Sequence, residues 1–184
     1  MEKQAGKRCL PRVVLVPCPF QGHINPMLQL GILHSNGFSI TVAHTQYNSP
    51  DPSNHPNFSF IPLMLAELMR QQEGLACIID YELMYFSEAT AMNLKLPTIV
   101  LRTISAAAFL AHIALINLKA EGHIPFPESR SHESVLEFYP LRFKDLPIST
   151  FGKLENSLQL VSEVANNRRA SAIIYNTIGY LENS

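Results

Sequence analysis

Few residues in this chain of 184 combine a reactive side chain with a position that could use it. His23 is the first. It follows the string Val13-Val14-Leu15-Val16-Pro17-Cys18-Pro19-Phe20-Gln21-Gly22 and precedes Ile24-Asn25-Pro26-Met27. A histidine here can accept a proton, ligate a metal, or simply bond nearby backbone. No second His or Cys stands at metal-ligand spacing from it, so the surrounding sequence offers no zinc set. Asp80 and Tyr81 close a second apolar run, and Arg102 and Thr103 close a third. A histidine, a carboxylate and a hydroxyl brought to one crevice would form a general base with an orienting acid. Asp80 has a plainer alternative use, as the N-cap of the segment after it.

The elements that must position these groups follow from the pattern. Val13–Val16 is a short β-branched run of the kind that forms a strand covered on both faces. Pro17 and Pro19 stop it, Gly22 permits a sharp turn, and Asn25-Pro26 reads as N-cap and first helical residue. Ile24, Met27, Leu28 and Gly31 then share one helical face, and Asn36-Gly37 ends the helix. Further strands are expected at 38–43, 58–61, 75–79, 97–101 and 171–176. Helices are expected at 64–72, 82–94 and 105–120, and a helical stripe at Leu154, Leu158, Val161 and Ala165. Residues 122–144, with Pro125, Pro127 and Pro140, read as a long irregular region. Strands alternating with helices predict an α/β fold: a Rossmann-like, doubly wound parallel sheet, whose strand-end loops share one ligand-binding edge.

Composition narrows the class. A net charge of -1 supplies no basic field for nucleic acid. Charged residues make up only 16%, low enough to predict that part of the surface is covered by another domain or partner. Cys9, Cys18 and Cys77 form an odd set without a CxxC pair, which fits reduced thiols and a cytoplasmic location. The polar start of the chain shows no secretory pattern. Residues 98–118 are largely apolar, but Arg102, Thr103, Ser105, His112 and Asn117 make a strand running into a helix the better reading than a membrane span.

The string Pro19-Phe20-Gln21-Gly22-His23-Ile24-Asn25-Pro26-Met27 resembles the N-terminal signature of plant family 1 UDP-sugar glycosyltransferases. The resemblance extends over nearly the whole chain. It includes Cys77-Ile78-Ile79 with Glu82–Glu88, Arg102-Thr103-Ile104-Ser105-Ala106, Pro140–Pro147 and Ala172–Thr177. It implies the N-terminal, acceptor-binding half of a GT-B fold, with residues 1–184 as one such domain. It also implies His23 as general base, Asp80 as its carboxylate partner, and Gly22, Thr103 and Ser105 facing the donor sugar. Phe20, Leu83, Met84, Phe109 and His112 are candidates for the acceptor wall, with sheet–helix core as their alternative. The implied reaction moves a sugar, expected to be glucose, from a UDP-sugar to a small metabolite's hydroxyl with inversion. The UDP-sugar is a co-substrate, and no cofactor or metal is implied.

Three departures from the family pattern bear on function. No stretch of these 184 residues resembles the family's C-terminal UDP-sugar-binding domain, whose signature box carries a tryptophan, and the sequence contains no Trp, so that domain is expected to be missing here. Leu63 joins Met64 where relatives carry a longer segment. Relatives read Tyr-Asp before Glu-Leu-Met, whereas this chain reads Asp80-Tyr81, so the aspartate column falls on Tyr81. The chain alone is therefore expected to be inactive and to associate through the surface a second domain would cover. A non-catalytic binding module derived from such an enzyme is the alternative. An unrelated nucleotide binder is disfavoured, because the first loop lacks a GxGxxG or P-loop pattern.

Overall fold

The computed structural model describes residues 10–63, 73–148, 153–166 and 169–177. Cys9, the Leu63–Met64 junction and the helix expected at 64–72 thus involve residues outside that range. The described chain divides into two compact units, residues 1–102 with 169–174, and residues 103–168 with 175–184.

The first unit is built on a six-stranded sheet. Its strands are β1 (Arg12–Val16), β2 (Ser39–His44), β3 (Phe58–Pro62), β4 (Leu75–Tyr81), β5 (Thr98–Arg102) and β6 (Ala172–Tyr175). Their order across the sheet is β3-β2-β1-β4-β5-β6. The β1/β2, β2/β3, β1/β4 and β4/β5 pairings are all parallel. This order reverses direction between β1 and β4, and that reversal is where open α/β sheets bind ligands beyond the carboxyl ends of their strands. Val13–Val16, Ile40, Val42, Ile78, Ile79 and Leu101 fill the buried core, and Met27, Met84 and Ala91 pack on it from outside the strands. Each of the Val, Leu, Ile and Met side chains contributes on the order of 1.5–3 kcal/mol by leaving water.

The helix α1 (Gln21–Gln29) begins five residues before Pro26, with Phe20 as its N-cap and no side-chain cap. The expected N-cap role of Asn25 is thus overturned. Asn25 lies inside the helix, and its side-chain oxygen accepts a 2.6 Å bond from Gln21 Nε2. Pro26 lies inside the helix, where its missing N–H forgoes the bond to the Gly22 carbonyl, while Ile24 and Met27 are buried and hold the turn against the sheet. A 3₁₀ segment, Leu30–Asn36, continues the rod until Gly37, whose φ of +86° caps it in the left-handed region as its sequence suggested. Gly31 lies directly beneath the Phe58 ring, where a Cβ would come within 2.0 Å of a ring carbon.

The helix expected at 82–94 is broken in two. Glu82–Met84 forms a 3₁₀ turn, and α2 spans Ser87–Asn93. The break coincides with the Ser87 hydroxyl, which donates to the Asp80 carboxylate and so sets where α2 starts. The 98–118 stretch resolves, as expected, into a strand and a helix, and no helix among the described residues is long and apolar enough to cross a membrane.

The second unit is helical. It contains α3 (Ala106–Ala120), α4 (Leu154–Asn166) and, between them, three short 3₁₀ turns in the irregular region. Ala114, Leu115 and Leu118 of α3 share a core with Ile124, Val135, Phe143 and Leu146, and Leu154 and Leu158 of α4 pack against it. Arg142 is bound to Asp145 at 2.8 Å, closing the turn that buries Phe143, and the Arg130 guanidinium lies 4.7 Å over the Phe143 ring.

Candidate functional site

His23 sits in the first turn of α1, directly after β1, beside the β1/β4 reversal. Its placement is governed by the strand it follows. Pro17 is fully buried, Cys18 is buried, and Asn48 Nδ2 donates to the Pro19 carbonyl at 3.3 Å, tying the loop after β2 to the loop that delivers the histidine. The ring is half-buried, and burial lowers its pKa from the usual histidine value. The imidazole is therefore held neutral near pH 7, the form that can take a proton. Phe20, 55% exposed, meets it edge-on with ring centroids 6.3 Å apart. The same burial argument holds the Cys18 and Cys77 thiols protonated, since their pKa values are pushed up.

β4 runs two residues further than its apolar stretch suggests, so Asp80 and Tyr81 are strand residues rather than loop residues. Val16 pairs with Asp80 across the β1/β4 register. Consecutive strand residues point to opposite faces, and the two contacts obey that rule. The Tyr81 ring lies against His23, centroids 4.5 Å apart and planes tilted by 36°. The Asp80 carboxylate, fully buried, instead accepts the Ser87 hydroxyl at the start of α2. Asp80 thus braces the strand to the helix through a side-chain bond rather than capping α2, whose N-cap is Phe86.

Beyond Tyr81 lies a buried ion pair that the sequence reading missed. Glu82 Oε2 approaches Arg102 Nε at 3.2 Å, joining the carboxyl ends of β4 and β5. The approach is poorly aligned for a hydrogen bond at Nε, so this contact is ionic in character. Its sequence signal was a charged residue at the end of each of two apolar runs. Of the remaining first-unit candidates, Gly22 is exposed in the first turn of α1, Met84 is buried, and Leu83 packs against the same core.

The second unit holds Thr103, Ser105, Phe109 and His112. Ser105 is the N-cap of α3, its Oγ accepting from Ala108 N–H at 3.0 Å, so it has a structural role while keeping a hydroxyl proton to donate. His112 Nδ1–H donates to the Ala108 carbonyl at 2.8 Å, which leaves Nε2 as the acceptor nitrogen of the neutral ring. Phe109 packs on Tyr175 at 6.5 Å between centroids. Among the described residues of this unit, cavities open in two places. One of about 530 Å³ lies among Leu118, His123, Arg130, Val135 and Phe143, and another of about 1050 Å³ among Leu110, Ala111, Phe138, Tyr139 and Leu141. Neither is lined by the four predicted residues. Among the described residues no cluster of three His, Cys, Asp or Glu could hold a metal ion.

This architecture recurs in known structures. The UGT2 glycosyltransferase of Phytolacca americana, solved with UDP-2-fluoro-glucose and pterostilbene, superposes with a TM-score of 0.68 at 18% identity. The match covers 95% of this chain and 48% of that one. A transferase from Siraitia grosvenorii, solved with UDP, gives 0.64 at 24% identity, over 94% of this chain and 42% of the other. The first unit's sheet is thus the Rossmann-like domain of a GT-B glycosyltransferase fold.

No protein-family model matches the chain. Sequence relatives are nevertheless clear. UDP-glycosyltransferase 76E1 of Solanum lycopersicum is 40% identical over 94% of this chain and 43% of its own length. UDP-glycosyltransferase 76E5 of Arabidopsis thaliana is 40% identical over the whole chain and 48% of its own length. The flavonol 3-O-glucosyltransferase UGT76E12 of the same plant is 36% identical over the whole chain and 48% of its own length. The chain belongs to the plant UDP-glycosyltransferases, and it spans about half the length of the curated relatives it matches.

Proposed function

We propose that the chain supplies the acceptor-binding half of an enzyme that transfers glucose from a UDP-sugar to a hydroxyl of a small plant metabolite, with inversion. The observation that carries the reading is His23, held neutral by burial, at the carboxyl end of β1 where the sheet reverses. In the reaction the acceptor oxygen attacks the anomeric carbon as His23 takes its proton. The bond from that carbon to the UDP oxygen breaks, and UDP leaves with the electron pair. The acceptor-wall candidates are Phe20, Leu83 and Met84 in the first unit and Phe109 and His112 in the second; Gly22, Thr103 and Ser105 are assigned to the donor sugar. The flavonol glucosyltransferase among the relatives supports glucose as the sugar. The UDP-sugar is a co-substrate, no further cofactor is invoked, and the cytoplasm is the proposed location.

The donor half is assigned to a second domain outside these residues, so the chain by itself is inactive and associates through the face that domain would cover. Losing the register between donor and acceptor removes a positioning effect of many orders of magnitude. The alignment to the Arabidopsis relative runs over 220 positions against 184 residues here, which supports a segment missing from this chain, assigned to the 63/64 junction. A non-catalytic small-molecule-binding or partner-binding module is the second reading, favoured by the bond that the Asp80 carboxylate accepts from Ser87.

The test is complementation. The chain is completed with the missing segment and donor domain of a relative, and turnover of UDP-glucose with alcohols and phenols is followed by product mass. His23→Ala should lower the rate by about 100- to 10,000-fold while donor binding persists. A completed enzyme indifferent to His23→Ala would refute the base assignment. A completed enzyme without turnover, which still binds acceptors, would favour the binding module.

A further inference from the structure

We propose that Tyr81 is the residue that fixes the His23 ring in this chain, and that Asp80, the residue the family pattern suggests, is a brace between β4 and α2. The proposal rests on the reading of His23 as the base.

β1 connects to β2 on one side of the sheet's reversal, and β4 connects to β5 on the other. Parallel crossovers are right-handed, so connections that run in opposite directions place their helices on opposite faces of the sheet. α1, which carries His23, therefore lies on one face, and α2, which begins at Ser87, on the other. A β4 residue that reaches His23 must point toward the α1 face, and one that reaches Ser87 toward the α2 face. Adjacent positions satisfy these two demands, and the observed contacts divide accordingly: Tyr81 with His23, Asp80 with Ser87. Both residues are strand residues, so no loop freedom is available to swing the carboxylate across the sheet.

Tyr81 suits the positioning role in its own way. It is only 3% exposed, so its ring is a fixed wall rather than a mobile one. Its tilted contact at 4.5 Å covers one side of the imidazole, while Phe20 meets the ring edge-on. A ring wall restricts rotation of the histidine and screens it from water. Burial, the cause that keeps His23 neutral, is the effect such a wall produces.

Carbethoxylation tests this on the 184-residue chain without requiring turnover. The protein is treated with diethyl pyrocarbonate at a fixed near-neutral pH, and modification of each histidine is timed by peptide mass spectrometry. His34, in the 3₁₀ segment after α1, and His132, in the second unit, serve as internal controls of the fold. Tyr81→Leu should speed modification of His23 several-fold with the controls unchanged. Tyr81→Phe, which keeps the ring, should restore the slow rate. Asp80→Asn and Ser87→Ala should leave the His23 rate alone while lowering the melting temperature. A His23 rate that rises with Asp80→Asn as much as with Tyr81→Leu overturns the proposal, as does a Tyr81→Phe rate equal to that of Tyr81→Leu. Should an Asp80 variant fail to fold, the Tyr81→Leu and Tyr81→Phe pair still decides it. The base assignment fails separately, by an active His23→Ala in the completed enzyme, and that result leaves the His23 modification rates as they are.

Discussion

The buried pair Glu82–Arg102 gives the sharpest prediction of stability. The two side chains are only 8% and 4% exposed and approach at 3.2 Å. Glu82 directly follows β4 and Arg102 ends β5, so they join the strand that carries Tyr81 to the strand that leads into Thr103. Glu82→Gln removes one charge, keeps the shape, and leaves a guanidinium buried against a neutral amide. Breaking a buried pair from one side costs about 3–5 kcal/mol, and a chain of this size loses about 2–4 °C of melting temperature per kcal/mol, so the midpoint should fall by roughly 6–20 °C. Replacing both partners, by Glu82→Leu with Arg102→Met, removes both buried charges as well as their attraction. That double variant should recover most of the loss, because desolvating two ions offsets much of what their attraction returns. Urea unfolding followed by circular dichroism provides the free energies. A loss below about 1 kcal/mol for Glu82→Gln, the level of an exposed pair, would show that water reaches the pair and would refute the argument.

Gly31→Ala should destabilise, because the new Cβ would meet the Phe58 ring at 2.0 Å; overpacking of about 1–3 kcal/mol exceeds a backbone-entropy gain of at most about 1 kcal/mol. Phe58→Leu should relieve it, read as a positive coupling in urea unfolding of the double variant. Asp145 has its carboxyl pKa lowered chiefly by the hydrogen bond from Arg142, so its stabilising contribution is present above the ordinary carboxylate range and fades as pH falls through the lowered value. Asp145→Asn should flatten that acid limb in melting curves taken from neutral to acid pH, and a small change is expected because both groups are exposed. In the completed enzyme, Asp80→Asn with Tyr81→Asp should raise turnover roughly tenfold or more, since an orienting carboxylate on the histidine's own face is worth up to about 10⁴ in rate. A slower enzyme with an intact fold would count against the facial argument.

Much of the fold was legible because its signals were redundant. The β-branched runs, the Asn36-Gly37 stop and the shared face of Ile24, Met27, Leu28 and Gly31 each pointed to strand, helix end and buried face, and the structure agrees. The start of α1 was misread because Asn25-Pro26 is a strong local signal for a helix beginning there. Burial of Ile24 and Met27 against the sheet outweighs that local preference, which is how tertiary contacts commonly override propensity in a short helix. The division at Arg102 carried no composition shift, since the apolar run from Thr98 passes straight through it.

The site was harder to read for a more specific reason. The apolar stretch before Asp80 ends at Ile79, and aspartate is a poor strand former, so the strand appeared to stop one residue short of the carboxylate. That placed Asp80 and Tyr81 in a loop, where a one-residue offset between them would carry little meaning. β4 continues through both with the cost of burying Asp80 met in part by a hydroxyl seven residues further on, and no local pattern announces that pairing. Once both residues are in the strand, the offset becomes a choice of face, with the ring toward the histidine and the carboxylate toward α2. What separates the two assignments is therefore a strand boundary, the feature that sequence patterns fix least well, rather than the identity of either residue.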